Sequence, residues 1–198
     1  YPMNSIGFIG GGRVTRIMLQ AWKNRNISNQ AIKVFDPNPD VLAKLTVQFP
    51  EAVTFSSLHA DILACEVIFL AVHPPVMPEI LSQVKGKLAH ATILVSLAPK
   101  WTLAAMKKAL DGFDNIARVN PSAVSVINQG INPVCFSDAM PEPYRQGIRT
   151  LLEPLGSIPE IEETKLEAYA MINAMGPTYF WYQIQLLKEL GMKYGLTE

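Results

Sequence analysis

The sequence predicts an α/β fold, a doubly wound, mostly parallel sheet followed by a C-terminal helical segment. Three observations predict it. Short apolar runs rich in β-branched residues recur at 5–9, 32–35, 67–72, 93–97 and 116–119. Helical patterns fill the intervals, at 14–23, 40–48, 76–84 and 103–110, and strands alternating with helices at this spacing build βαβ units. The runs are also apolar throughout rather than alternating, as strands covered on both faces require.

The remaining elements follow in order. Residues 53–55 (VTF) predict one more short strand, and 131–136 (INPVCF) another after the pattern changes at Pro121. A helix is expected over 144–155, and from Lys165 onward the pattern is helical. Pro177 suits a first helical turn, Phe180, Ile184, Leu187 and Tyr194 keep helical spacing, and Gly195 is the expected stop. Tyr179, Phe180, Trp181 and Tyr182 are expected mainly to pack this helix, with one ring over a substrate. Thr197 reads as the N-cap of a further helix, so the chain is expected to be truncated at Glu198. Met3 is the expected natural start, with Tyr1 and Pro2 a cloning remnant.

Composition narrows the function classes. Of 198 residues, 49% are hydrophobic and 17% charged, which supports a sizeable core and argues against disorder. Lys+Arg and Asp+Glu balance at 17 each, against a nucleic-acid or membrane-surface protein, whose binding rests on excess positive charge. No run approaches the roughly 20 apolar residues of a membrane helix, and no signal peptide is visible. Cys65 and Cys135 have no metal-ligand or redox spacing and read as buried free thiols, consistent with the cytoplasm. No metal site is expected.

The most informative stretch is SIGFIGGGRVTRIMLQAW, from Ser5 to Trp22. A strand, then Gly10-x-Gly12, then a helix is the arrangement that binds a dinucleotide. The first glycine allows the tight turn, and the second lets the pyrophosphate approach backbone N–H groups at the helix N-terminus, beside Arg13 and Val14. The third position of this fingerprint is Thr15 here rather than Gly or Ala. The second strand ends in Asp36, where an adenosine ribose would lie. Asp36 either accepts from the 2′-hydroxyl, which favours NAD over NADP, or only opens a turn before Pro37. Arg13 is the candidate for a 2′-phosphate. These features make the sheet one of Rossmann type.

Several segments together resemble the pyrroline-5-carboxylate reductase family: IGFIGGGRVTRIML, VIFLAVHPPVMPEIL, ILVSLAPKWTL, RVNPSAVSVINQGI and INAMGPTYFWYQIQLLKELGMKYGL, in the family's order and over essentially the whole chain. The resemblance implies an NAD(P)-dependent reductase of proline biosynthesis, a homodimer through C-terminal helices. It implies a dinucleotide domain over 1–160 and the start of a helical substrate and dimerisation domain over 161–198. Ala71, Val72, His73 and Pro74 should lie along the cofactor, Asn120, Pro121 and Ser122 should border the nicotinamide, and Asn173 and Thr178 should bracket a break between two helices beside the substrate. Asn120, Ser122, Asn173 and Thr178 are thus the candidate catalytic residues. Each has a plain alternative: His73 a solvated loop residue, Asn120 a turn former, Thr178 a helix cap.

The chain departs from the family where the pocket should be. His73 stands where the family has Lys, Pro99 and Lys100 replace small residues, and Asn173-Ala174-Met175-Gly176-Pro177-Thr178 replaces Ser-Gly-Ser-Gly-Pro-Ala. Lys100 either attracts a substrate carboxylate or stays solvated. The acceptor is expected to be a small imine or keto acid. A β-hydroxyacid dehydrogenase is the nearest enzyme rival, but Lys165 and Asn173 are two turns apart where that family has Lys and Asn one turn apart. A dinucleotide-binding regulator that has lost catalysis is the rival from another class.

Overall fold

A computed structural model describes residues 3–27 and 31–197; the expectations for Tyr1, Pro2 and Glu198 lie outside them. The chain runs β1 (Ser5–Ile9), α1 (Arg13–Asn24), β2 (Ala31–Phe35), α2 (Pro39–Gln48), β3 (Val53–Phe55), α3 (Ala60–Leu63), β4 (Val67–Leu70), α4 (Met77–Val84), β5 (Ile93–Ser96), α5 (Leu103–Ala109) and β6 (Ile116–Val119). It continues with β7 (Gly130–Ile131), β8 (Val134–Phe136), α6 (Glu142–Leu152), β9 (Gly156–Ser157), α7 (Leu166–Tyr169) and α8 (Gly176–Lys193).

Seven strands form one sheet in the order β3-β2-β1-β4-β5-β6-β8, parallel except for β8, which runs antiparallel to β6. The order 3-2-1-4-5-6 is the doubly wound one, with its crossover between β1 and β4. Residues alternate between the two faces, and each face has its own core. Phe8, Phe69, Val95 and Ala117 pack toward Trp22 of α1 and Leu151 of α6, while Ile9, Ile68, Leu94 and Ile116 pack toward Met77 and Leu81 of α4 and Met106 of α5. On the first face Phe8 stacks on Phe69 with centroids 4.9 Å apart. The buried Trp22 tilts against both rings, and its indole N–H donates to the Leu151 carbonyl at 2.9 Å.

The structure changes three expected elements. The run 131–136 is not one strand. Gly130 and Ile131 pair with Gly156 and Ser157, whereas Val134–Phe136 joins the main sheet. Between them the fully buried Asn132 accepts from the Ser122 amide and the Ser125 hydroxyl, which moves the chain from one ribbon to the other. The helix expected over 144–155 begins earlier and gives way to a 3₁₀ turn at Glu153–Leu155, because Pro154 lacks the N–H that would continue it. The expected break between the last two helices is also absent. A 3₁₀ turn at Glu163–Lys165, α7, a π-helical stretch at Ala170–Met175 and α8 follow without interruption. The π turn occupies the residues just before the proline of the first turn of α8, and proline disfavours a regular α-helix through the residues that precede it.

Pro177 does stand in the first turn of α8, and the helix stops as expected. Gly195 takes φ 86, its N–H reaches the Met192 carbonyl, and the Leu196 N–H reaches that of Gly191, a Schellman closure. The aromatic cluster does not pack this helix within the chain. Tyr179, Phe180, Trp181 and Tyr182 are all more than 60% exposed, and Ile184, Leu187 and Tyr194 are exposed too.

Candidate functional site

In open α/β sheets the ligand crevice lies beyond the carboxyl ends of the strands at the crossover, here the ends of β1, β2 and β4. The glycine turn occupies that position. Gly10 sits at φ 109, its N–H donates to the Phe35 carbonyl at 2.7 Å, and a Cβ there would lie 2.4 Å from the Ala71 carbonyl oxygen. Only glycine fits so strained and so close an approach. Ala71 completes the contact by donating its N–H to the Ile9 carbonyl at 2.8 Å. Gly12 caps α1 with no side-chain partner, and a Cβ there would meet nothing within 4 Å. The helix start therefore opens onto free space, with the amides of its first turn available to an anion. Arg13 is exposed beside it and Val14 half-buried.

Thr15 is buried, and its hydroxyl donates to the Gly10 carbonyl at 2.6 Å. The residue that departs from the fingerprint is thus a satisfied part of the turn. Asp36 accepts from the Gly11 amide through Oδ2 at 2.8 Å and from the Asn38 amide through Oδ1 at 2.9 Å. It forms the turn and also holds the glycine loop. A carboxylate has about four acceptor positions, so a ribose hydroxyl can still find one.

After β4, Val72 is half-buried against the second core, and His73 is exposed at the start of a 3₁₀ turn, Pro74–Val76, where its ring caps nothing. Pro74 accepts the indole N–H of Trp101 at 3.2 Å, which ties the loop after β4 to the one after β5. After β6, Asn120 is half-buried and its N–H donates to the Pro133 carbonyl at 3.1 Å. Ser122 is 6% exposed, and its hydroxyl accepts from the Val124 amide at 3.3 Å, so it caps the 3₁₀ turn that follows. Asn173 lies half-buried in the π stretch, and Thr178 is exposed on α8.

The structure thus gathers Gly10, Gly12, Arg13, Val14, Asp36, Ala71, Val72, His73 and Pro74 at one end of the sheet. It brings the base of the C-terminal helical run to the same end, where Leu166, Glu167 and Ala170 border a small crevice with Pro99, Arg118 and Asn120. Thr178 is eight residues beyond Ala170, roughly 12 Å farther along a helix, on the largely exposed α8. A cleft of about 920 Å³ beside β8, between Phe136 and Tyr169, contains none of these residues.

Sequence reasoning missed Arg118, Glu163 and Glu167. Arg118 is 2% exposed, and its Nη1 donates to Glu163 Oε1 at 2.8 Å and Nη2 to Glu167 Oε1 at 3.1 Å. The available signal was a charged residue inside the apolar run IARV. Both thiols are free and buried as expected. Burial, helped by Glu163, pushes the Cys135 thiol up to about 11, and burial likewise raises that of Cys65. Neither is a nucleophile near neutral pH. Among the described residues no helix is long and apolar enough to cross a membrane.

Comparison with known proteins extends this picture. Residues 5–100 match the family described as NADP oxidoreductase coenzyme F420-dependent. Over 98% of the chain it is 25% identical to the pyrroline-5-carboxylate reductase of Corynebacterium melassecola, covering 73% of that protein. Over 97% it is 25% identical to human pyrroline-5-carboxylate reductase 2, covering 61% of it. The chain therefore spans roughly two thirds of the length of such relatives. In fold it superposes on a pyrroline-5-carboxylate reductase from Coxiella burnetii with a TM-score of 0.87 at 22% identity, over 99% of this chain and 73% of that one. A Plasmodium falciparum pyrroline carboxylate reductase with NADP bound gives 0.79 at 20% identity, over 98% and 71%. From the glycine turn to the C-terminal helix, the chain is similar in sequence and in fold to the pyrroline-5-carboxylate reductases.

Proposed function

We propose that the chain carries the cofactor machinery of an NAD(P)-dependent reductase that acts on a small imine or carbonyl compound, with pyrroline-5-carboxylate the first acceptor to test. The observation that carries this reading is the open start of α1 at Gly12, beside a glycine turn held by Asp36. The relatives' names and the NADP in the Plasmodium structure support the same chemistry.

The bound dinucleotide would supply the hydride. The protein's part is to hold the acceptor carbon over the nicotinamide and exclude water, which calls for positioning rather than a strong acid or base. Gly10, Gly12, Arg13 and Val14 would take the pyrophosphate, Asp36 the adenosine ribose, and Ala71, Val72, His73 and Pro74 would follow the cofactor across the crevice. Asn120 would border the nicotinamide, with Ser122 fixing the turn behind it. Residues 1–160 then form the dinucleotide domain, and 161–198 begin a helical part that meets the acceptor through Asn173 and Thr178. The exposed apolar side chains of α8 favour association of two copies through this part. NAD is slightly favoured over NADP because Asp36 would repel a 2′-phosphate. The free cysteines favour a cytoplasmic location.

Calorimetric titration with NADH and with NADPH, followed by reduction of pyrroline-5-carboxylate, tests the reading. Tighter NADH binding supports Asp36 at the ribose, and tighter NADPH binding transfers that role to Arg13 and a phosphate. Binding of neither overturns the proposal, and turnover removes the regulator as an alternative.

A further inference from the structure

Arg118 does more than fill a place in β6. Each carboxylate oxygen it holds takes a second donor, one from the loop after β5 and one from the first residue of α5. Glu163 Oε1 also accepts the Leu103 amide at 2.7 Å, and Glu167 Oε1 accepts the Lys100 amide at 3.2 Å. Lys100 stands at φ 69, in the left-handed region that side chains other than Gly, Asn and Asp avoid. Two residues before, Ala98 is buried just beyond the end of β5, and one residue after, Trp101 is tied to the Pro74 carbonyl. The segment 99–103 is thus pinned at three points, two of them on carboxylates that Arg118 orients.

Arg118 is buried but its two carboxylate partners reach solvent, and a buried charge is weak evidence of stabilisation, since apolar side chains of similar volume often serve a core as well or better. What the guanidinium supplies here is direction. It joins three elements at the carboxyl end of the sheet: the loop after β5, the base of the C-terminal helical run, and β6, which two residues on carries Asn120. Its Nε is buried without a partner, and Arg118, Pro99, Asn120, Glu167 and Ala170 line one crevice.

We propose that Arg118 is a positioning residue for the hydride-transfer end of the site, which through Glu167 and Glu163 holds residues 99–103, with Lys100 in its left-handed conformation, against the crevice beside Asn120. The proposal rests on the reductase reading above and names the group that shapes its acceptor end.

The test compares the purified protein with Glu167→Ala, Lys100→Gly and the double variant. Measured are NADH and NADPH affinity, kcat and KM for pyrroline-5-carboxylate, and hydrogen exchange of the amides at 100–103. Glu167→Ala should leave dinucleotide affinity within threefold, lower kcat about tenfold, and speed exchange at Lys100. Lys100→Gly accepts a positive φ without an anchor, so the double variant should recover at least half of the lost kcat. A general loss of fold would lower affinity and kcat together and would not be repaired by glycine. Unchanged kcat in Glu167→Ala, or no recovery in the double variant when Lys100→Gly alone keeps the wild-type kcat, overturns the positioning role while leaving the reductase reading intact. Wild-type protein that binds neither dinucleotide, or binds but reduces nothing, overturns the reading itself and the proposal with it.

Discussion

The Gly11 amide donates to Asp36 Oδ2 at 2.8 Å, so the acid that ends β2 holds the glycine turn that ends β1. The same carboxylate caps the Asn38 amide. One side chain thereby fixes both the shape of the glycine turn and the start of the loop beside it.

Asp36→Ala should therefore cost stability as well as binding. Hydrogen bonds to a charged group contribute about 1.5–3 kcal/mol each, and partial exposure of Asp36 places the loss near the lower end. Chemical denaturation should show a loss of about 1–2 kcal/mol, and calorimetry at least a tenfold weaker affinity for NADH. Unchanged affinity would detach Asp36 from the cofactor.

Gly10→Ala should be more damaging than Gly12→Ala. At Gly10 a methyl group would meet the Ala71 carbonyl oxygen at 2.4 Å from a backbone at φ 109, whereas at Gly12 it meets nothing within 4 Å. The first change should destabilise by about 2 kcal/mol or more. The second should keep the melting temperature and weaken dinucleotide binding, because it fills the space the pyrophosphate needs. Equal melting temperatures for the two variants would contradict this division.

Trp22→Phe removes one buried hydrogen bond together with part of the buried indole volume. It keeps an aromatic ring against Phe8 and Phe69 but leaves the Leu151 carbonyl without its indole donor. The expected cost is about 1–3 kcal/mol in urea unfolding, against about 3–5 kcal/mol for Trp22→Ala.

Stability should fall in alkali through Cys135. Its thiol ionises near 11 in the folded chain against an ordinary value of 9.0. Between these values the unfolded state has lost the proton that the native state keeps, so unfolding becomes easier as pH rises from about 9 to 11 and then levels off. The loss should be on the order of 2 kcal/mol at pH 11. Cys135→Ser should flatten the part of the stability profile that this thiol contributes; an unaltered profile would assign the slope elsewhere.

Two copies should associate through α8. Phe180, Trp181, Ile184 and Leu187 are each more than half exposed, which an apolar helix does not sustain in water without a partner. Light scattering should report a dimer, and a Trp181→Glu, Leu187→Glu double variant a monomer with the sheet core intact by circular dichroism.

The sequence by itself determined the wound sheet and the glycine turn with the acid that ends the second strand. Strands buried on both faces read as unbroken apolar runs, and β1, β4, β5 and β6 lie within a residue or two of where those runs place them. The glycine turn and Asp36 were legible because backbone strain and close approach restrict residue type locally. Only the tertiary structure decided the rest, since its causes lie far apart in the chain. Asn132 splits an apparent strand by bonding Ser122 and Ser125. Arg118 acquires its meaning from carboxylates 45 and 49 residues away. The helical spacing of residues 180–194 announces a helix, but periodicity reports which residues lie together on a face and not what covers that face.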